Sequence, residues 1–282
     1  MEPMLKPNFL FIGPDKTGSS WLFSLLQAHP QCFVPECKDI YFFDRYYQRG
    51  MAWYLDFFQE AKPHHLAVGE LSHDYMFSSE ALERISNDLP NVKLLTCLRN
   101  PIDRSFSHYL YLVRSGLTKL PFREALTEFP EILEHSLYWK YLSPWFAEFG
   151  IERIKVLWFE MLRDDPEKFA NECLQFLGVT TEMDFNFRQK VRVASKPRVY
   201  VIAKAMKAGA NFARRVRMEK LVGRIKHSRV SSILYKPYSD KEKPKLSELD
   251  RKYLKDFFSE DIQKLESLLG VRLRHWLNGG DT

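Results

Sequence analysis

The stretch from Asn8 to Pro30, NFLFIGPDKTGSSWLFSLLQAHP, admits few folds. An apolar run ends at Gly13, a polar loop follows, and apolar residues then recur at 21, 22, 25 and 26 until His29-Pro30 stops the pattern. That order predicts a buried strand, a glycine-bearing loop and a helix. Such a turn aims backbone N–H groups and the positive end of the helix dipole at one point, where an anion can sit. Gly13 and Gly18 have the spacing G-x-x-x-x-G, but Ser19 and Ser20 follow the second glycine. A nucleoside-triphosphate loop carries Lys and then Ser or Thr there. Here the lysine, Lys16, stands inside the loop.

The rest of the chain repeats the strand–helix alternation. Residues 65–70 and 92–99 read as strands, the second a near-continuous apolar run typical of a central parallel strand. Residues 153–160 read as a further strand. Helices are expected at 50–59, 78–90, 101–116, 137–149 and 165–178, with Pro101 at a first helical position and Gly116 after the helix end. The fold class is therefore α/β: a P-loop-like central parallel sheet flanked by helices. From 186 to 245 the pattern changes to a basic stretch with an amphipathic helix near 199–222, and a last helix spans 246–270. We expect one domain over 1–282, with 186–245 a basic helical lid insertion and 246–270 a closing helix.

Charge sharpens this division. The chain carries a net charge of +6, yet residues 188–229 hold 14 Lys and Arg against the single acid Glu219. The remaining 240 residues are net acidic. Basicity is local, so an anionic acceptor or a membrane surface would meet the chain at 199–229, whereas a solvated face on a packing helix explains the same pattern. Nucleic acid is not an expected partner. No apolar run approaches the roughly 18 residues a membrane span needs. The N-terminus has no basic-then-apolar leader, which reads as cytoplasmic. Cys32, Cys37, Cys97 and Cys173 lack metal-binding or C-x-x-C spacing and read as reduced, buried thiols.

In an open parallel sheet, ligands bind beyond the carboxyl ends of the strands. The first strand delivers Lys16, Thr17, Gly18, Ser19 and Ser20 there, and the third ends at Arg99. Ser107 follows Arg99 by about two helical turns, so a guanidinium and a hydroxyl are offered to a second anion. Two segments carry a family resemblance: PDKTGSSWL (14–22) and RNPIDRSFSHY (99–109) resemble the two nucleotide motifs of the PAPS-dependent sulfotransferases. The pattern is closest to the heparan-sulfate and bacterial branch. DIYFFD followed by GMAWYLDFF, the stretch FEMLRDDPEKFANECLQFLGV and the ending LGVRLRHW are similar in the same order.

The resemblance implies that the donor is 3′-phosphoadenosine 5′-phosphosulfate, leaving adenosine 3′,5′-bisphosphate, with no metal. Thr17, Gly18, Ser19 and Ser20 would hold the 5′-phosphate, with Trp21 starting the helix. Lys16 would neutralise charge on the bridging oxygen, and Arg99 and Ser107 would hold the 3′-phosphate. Lys196 and Arg198, in KVRVASKPR (190–198), would join them from a basic loop. The reaction would be in-line transfer to a hydroxyl or amine of a carbohydrate, natural product or lipid. A base must take the acceptor's proton. The family's glutamate falls at Asp39, one carbon shorter. Glu70 and His73 in VGELSHDY (68–75) are the alternatives; the family often has Lys and Pro where Leu71 and His73 stand. A P-loop kinase of unusual form, or a non-catalytic polyanion or membrane binder, are the competing readings.

Overall fold

A computed structural model describes residues 5–189, 195–197, 209, 235–237 and 244–277. The chain divides into two compact units, Met1–Arg99 with Tyr141–Arg192, and Asn100–Lys140 with Val193–Thr282.

The first unit holds the sheet. Strands β1 (Phe9–Gly13), β2 (Cys32–Phe33), β3 (Ala67–Leu71), β4 (Lys93–Leu98) and β5 (Ile154–Trp158) lie in the order β2-β3-β1-β4-β5, every neighbouring pair parallel. A parallel sheet covered on both faces demands apolar runs rather than alternation. Accordingly all five residues of β1 and all five of β3 are buried, Glu70 among them. Phe9 of the central β1 sits opposite Gly69 on one side and Lys93 on the other, so the carboxyl ends of three adjacent strands reach the same edge.

One face of the sheet is covered by α1 (Ser19–Ala28) and α9 (Pro166–Leu177), whose Trp21, Leu22, Leu25, Phe169, Cys173 and Leu174 share a core with it. Each such side chain contributes about 1.5–3 kcal/mol when removed from water. Asp165 caps α9 by accepting from the Lys168 amide at 3.1 Å, and Gly178 ends it in the left-handed conformation. Helix α3 (Ser79–Asp88) is capped by Ser78, which accepts from the Ala81 amide at 3.1 Å. All four cysteines are free and buried, and burial pushes the Cys32 thiol up to about 12.

The expected strands at 8–13, 65–70, 92–99 and 153–160 all appear, shifted or trimmed by one to two residues at their ends. The expected helix 50–59 is instead a short α2 (Met51–Leu55) continued by a 3₁₀ turn, Asp56–Phe58. A π-helical turn, Phe42–Tyr46, and a 3₁₀ turn, Tyr47–Arg49, precede it. The reason is aromatic packing. The Phe42 ring stacks on Tyr54 at 4.5 Å, and Phe43 meets Tyr54 and Tyr75 edge-on. The end of the predicted strand 153–160 also turns helical, as α8 (Phe159–Asp164).

The second unit contains α4 (Pro101–Arg114), α5 (Phe122–Glu128), α6 (Glu131–Glu134) and α10 (Glu248–Leu269). Helix α7 (Tyr138–Phe149) begins in this unit and ends in the first. Asn100 caps α4, accepting from the Ile102 amide at 3.0 Å, and donates to the Trp276 carbonyl at 3.1 Å. Arg104 is fully buried and donates to the carbonyls of Glu131 and Ile132 and to the Ser136 hydroxyl, each at 3.3 Å. Asp261 on α10 accepts from the amides of Trp139 and Lys140 at the start of α7. Short strands β6 (Ser195–Pro197) and β7 (Tyr235–Pro237) pair antiparallel. The closing helix expected at 246–270 is α10, while the helix expected at 199–222 falls, apart from residue 209, outside the described residues. Among the described residues no helix is long and apolar enough to cross a membrane.

Gly13 is the tightest point of the first unit. Its φ is +124°, and a Cβ there would lie 2.1 Å from the His73 carbonyl oxygen. Its own carbonyl accepts from the Thr96 hydroxyl at 2.6 Å. Gly13→Ala is therefore expected to cost more than about 3 kcal/mol of stability, and Thr96→Val about 1–2 kcal/mol, in urea unfolding.

Candidate active site

The loop after β1 is built around backbone conformation. Lys16 adopts φ 66°, a left-handed value, and Gly18 takes φ 90° at the N-cap of α1. No side chain caps that helix. The Thr17 hydroxyl is fully buried and donates to the Pro14 carbonyl at 2.8 Å, closing the turn. A Cβ on Gly18 would stand 2.4 Å from the Leu162 side chain, so α8 presses on the loop from behind. The result is a helix N-terminus without a side-chain cap, with Lys16 two residues before Gly18 and its ammonium 3.6 Å from the Asp15 carboxylate, a receptor for a compact anion.

Beside it, Arg99 leaves the end of β4, the strand adjacent to β1. Its guanidinium reaches the Lys16 carbonyl at 3.4 Å and lies over the Phe159 ring at 4.5 Å. The flat cation is thus held on an aromatic face at the rim of the loop.

A second cluster forms where the segment after β2 meets the end of β3. Asp39 and Tyr41 both have left-handed backbones, φ 68° and 57°. The Asp39 amide donates to the Leu71 carbonyl at 2.9 Å, and the Tyr41 amide to the Ser72 hydroxyl at 3.0 Å. Asp39 Oδ1 stands 2.8 Å from His73 Nδ1, and the Tyr41 hydroxyl stands 3.0 Å from His73 Nε2. Lys38 bridges the clusters, with Nζ 2.7 Å from the Ser19 hydroxyl and 3.9 Å from Asp39. Burial by itself would push the His73 imidazole down. The negative charges of Asp74 and Asp39, together with the hydrogen bond to Asp39, outweigh it, so His73 is held above its usual range.

A family model described as a sulfotransferase domain matches residues 6–266. The chain belongs to the sulfotransferase family. Mouse bifunctional heparan sulfate N-deacetylase/N-sulfotransferase 1 is 27% identical over 295 residues, covering 96% of this chain and 31% of that protein. Mouse form 4 is 30% identical over 204 residues, 64% of this chain and 23% of its own. The sulfotransferase thus spans less than a third of the length of these curated relatives. A solved sulfotransferase from Alicyclobacillus acidocaldarius is 25% identical with a TM-score of 0.71, covering 96% of this chain and 99% of that one.

The residues expected in the sulfotransferase site distribute unevenly. Lys16, Thr17, Gly18, Ser19, Ser20 and Arg99 gather at the β1 and β4 ends, and Asp39 and His73 are hydrogen-bonded to each other. The Trp21 indole is committed to the core, edge-on to Phe169 and Phe185. Glu70 is 1% exposed. Its carboxylate accepts from the Tyr75 hydroxyl at 2.6 Å and the Ser72 hydroxyl at 2.7 Å, and so serves as an internal tie. Ser107 lies half-buried on α4, in the second unit. Lys196 falls in β6, and Arg198 lies outside the described residues. Sequence reasoning passed over Lys38 and Tyr41. Their signal was position: they flank Asp39 at one residue before and two after it in KDIYFFD.

Burial pushes the Glu70 carboxyl up to about 8, against the lowering effect of the Tyr75 and Ser72 hydrogen bonds. Between its ordinary value of 4.5 and about 8 the folded chain keeps a proton that the unfolded chain has lost. Stability from this group is then full at low pH and declines as pH rises through that window. Glu70→Gln should flatten the decline, so urea midpoints at about pH 5 and about pH 8 should differ less in the variant than in the wild type.

Proposed function

We propose that this sulfotransferase moves a sulfuryl group from 3′-phosphoadenosine 5′-phosphosulfate to a hydroxyl or amine acceptor. The observation that carries the reading is the convergence, at two adjacent strand ends, of Lys16, the uncapped start of α1 and the Arg99 guanidinium. The donor fits this set: a helix start without a side-chain cap takes a monophosphate, and a planar guanidinium on an aromatic face takes a second one. The bound donor supplies a sulfuryl group on a good leaving phosphate. The first-turn amides from Gly18 to Ser20 orient the 5′-phosphate, and Arg99 binds the 3′-phosphate. Lys16 stabilises negative charge that grows on the leaving oxygen. The Asp39–His73 corner supplies the base. Roles for Ser107, Lys196 and Arg198 rest on the motif resemblance, and the donor reading calls on no metal.

For the acceptor we propose a carbohydrate, a class supported by the heparan sulfate named in the relatives.

A melting experiment tests the donor. Adenosine 3′,5′-bisphosphate without metal, at about 100 times its Kd, should stabilise by about 2.7 kcal/mol and raise the Tm by roughly 5–10 °C. Stabilisation only by ATP with Mg²⁺ would point to a kinase instead, and stabilisation by neither to a non-catalytic binder. Lys16→Ala should lower kcat by roughly 10²–10³-fold while bisphosphate affinity changes far less; equal losses would reduce Lys16 to a binding residue.

A further inference from the structure

We propose that Asp39 and His73 form one proton-transfer pair, in which His73 Nε2 takes the acceptor's proton and Asp39 is a positioning residue that holds the ring through Nδ1. This rests on the sulfotransferase reading above and assigns the base within it.

The geometry separates the two nitrogens. Asp39 Oδ1 lies 2.8 Å from Nδ1, whereas the nearest carboxylate oxygen to Nε2, on Asp74, lies 3.4 Å away. Asp74 is also paired with Arg45. The shorter contact wins the proton, so the neutral ring carries N–H at Nδ1 and a lone pair at Nε2. The Tyr41 hydroxyl stands 3.0 Å from Nε2 and 3.3 Å from Nδ1, within reach of both. Tyr41 is fixed in turn, because the Arg45 guanidinium lies 4.0 Å over its ring.

The backbone makes the same point. Two side-chain-bearing residues in three, Asp39 and Tyr41, are left-handed, and each such residue costs on the order of 1 kcal/mol. Both carry the side chains that contact the two nitrogens of His73. The distortion is what brings the Asp39 carboxylate to Nδ1 and the Tyr41 hydroxyl within reach of both nitrogens, 3.0 Å from Nε2 and 3.3 Å from Nδ1. His73 is 22% exposed, so an acceptor can displace the Tyr41 hydroxyl from Nε2.

The step balances as follows. The acceptor oxygen or nitrogen forms a bond to sulfur while the bond from sulfur to the bridging oxygen breaks. The electron pair of that bond stays on the bridging oxygen, beside Lys16. The acceptor's proton moves to Nε2, and Asp39 stabilises the imidazolium through Nδ1–H. The charged and titratable groups around the ring are Asp39, Asp74, Asp15 and Tyr41, with Lys38 beside Asp39 and Arg45 on Asp74.

The test combines imidazole NMR titration with kinetics on the wild type, Asp39→Asn, His73→Ala and the double variant. In the wild type, His73 should show the Nδ1–H tautomer and titrate above the usual value of about 6.5. The acid limb of kcat/KM should follow that titration, activity rising as the ring loses its proton. Asp39→Asn removes a negative neighbour, so the His73 titration and the acid limb should both move to lower pH, with kcat down roughly 10²–10⁴-fold. The double variant should be no worse than His73→Ala, since the pair acts as a unit. Bisphosphate should still raise the melting temperature of every variant, which shows that each is folded. If His73→Ala keeps near-wild-type kcat with an acid limb in the carboxylate range, Asp39 is itself the base and the proposal is overturned. It is equally overturned if Asp39→Asn leaves the tautomer and titration of His73 unchanged. The titration reads the pair with no nucleotide present, so a wild type that ignores bisphosphate refutes the donor reading separately.

Discussion

A single missing side chain holds the site together. Gly13 ends the central strand where the His73 carbonyl closes over it and the Thr96 hydroxyl grips its carbonyl oxygen. Those two contacts come from the strands on either side of β1, one leading to the imidazole corner and the other to Arg99. Any Cβ would push the first neighbour away and misalign the lysine loop that begins at the next residue. The loop, the arginine and the Asp39–His73 corner are thus positioned by one close backbone approach.

Electrostatics divides the labour among the carboxylates. Glu70 is buried and bound by two hydroxyls, so its environment favours the protonated form. Asp39 is buried too, but its carboxylate stands 3.9 Å from the Lys38 ammonium and 2.8 Å from His73 Nδ1. Two buried acids on neighbouring segments thus have different partners, two hydroxyls for one and a lysine and an imidazole for the other. Glu70 ties the end of β3 to Tyr75, and Asp39 ties the segment after β2 to His73.

Much of the first unit was legible in the residue pattern. Four of its five strands are long apolar runs, because a sheet covered on both faces leaves no polar alternation to confuse the reading. Strand β2 is two residues long, too short for any periodicity. Residues 50–59 read as one helix, yet the segment breaks into turns where Phe42 stacks on Tyr54 and the Phe42 amide donates to the Tyr75 hydroxyl. Those partners lie 12 and 33 residues away, beyond the reach of local propensity.

What the amino-acid sequence determined by itself is the lysine-bearing loop, the arginine at the end of β4 and the membership of Asp39, Glu70 and His73 in a short set of candidate bases. The loop and the arginine follow from local spacing, which covalent geometry translates directly into strand, turn and helix start, whereas Asp39 enters through the family resemblance and Glu70 and His73 through their place at a strand end. Tertiary structure alone decided how that set is arranged. It buried Glu70, turned Asp39 toward His73 and set the Tyr41 hydroxyl against both ring nitrogens. The physical reason is that protonation and hydrogen bonding depend on which groups meet in space, and the segments that meet here are more than thirty residues apart in the chain.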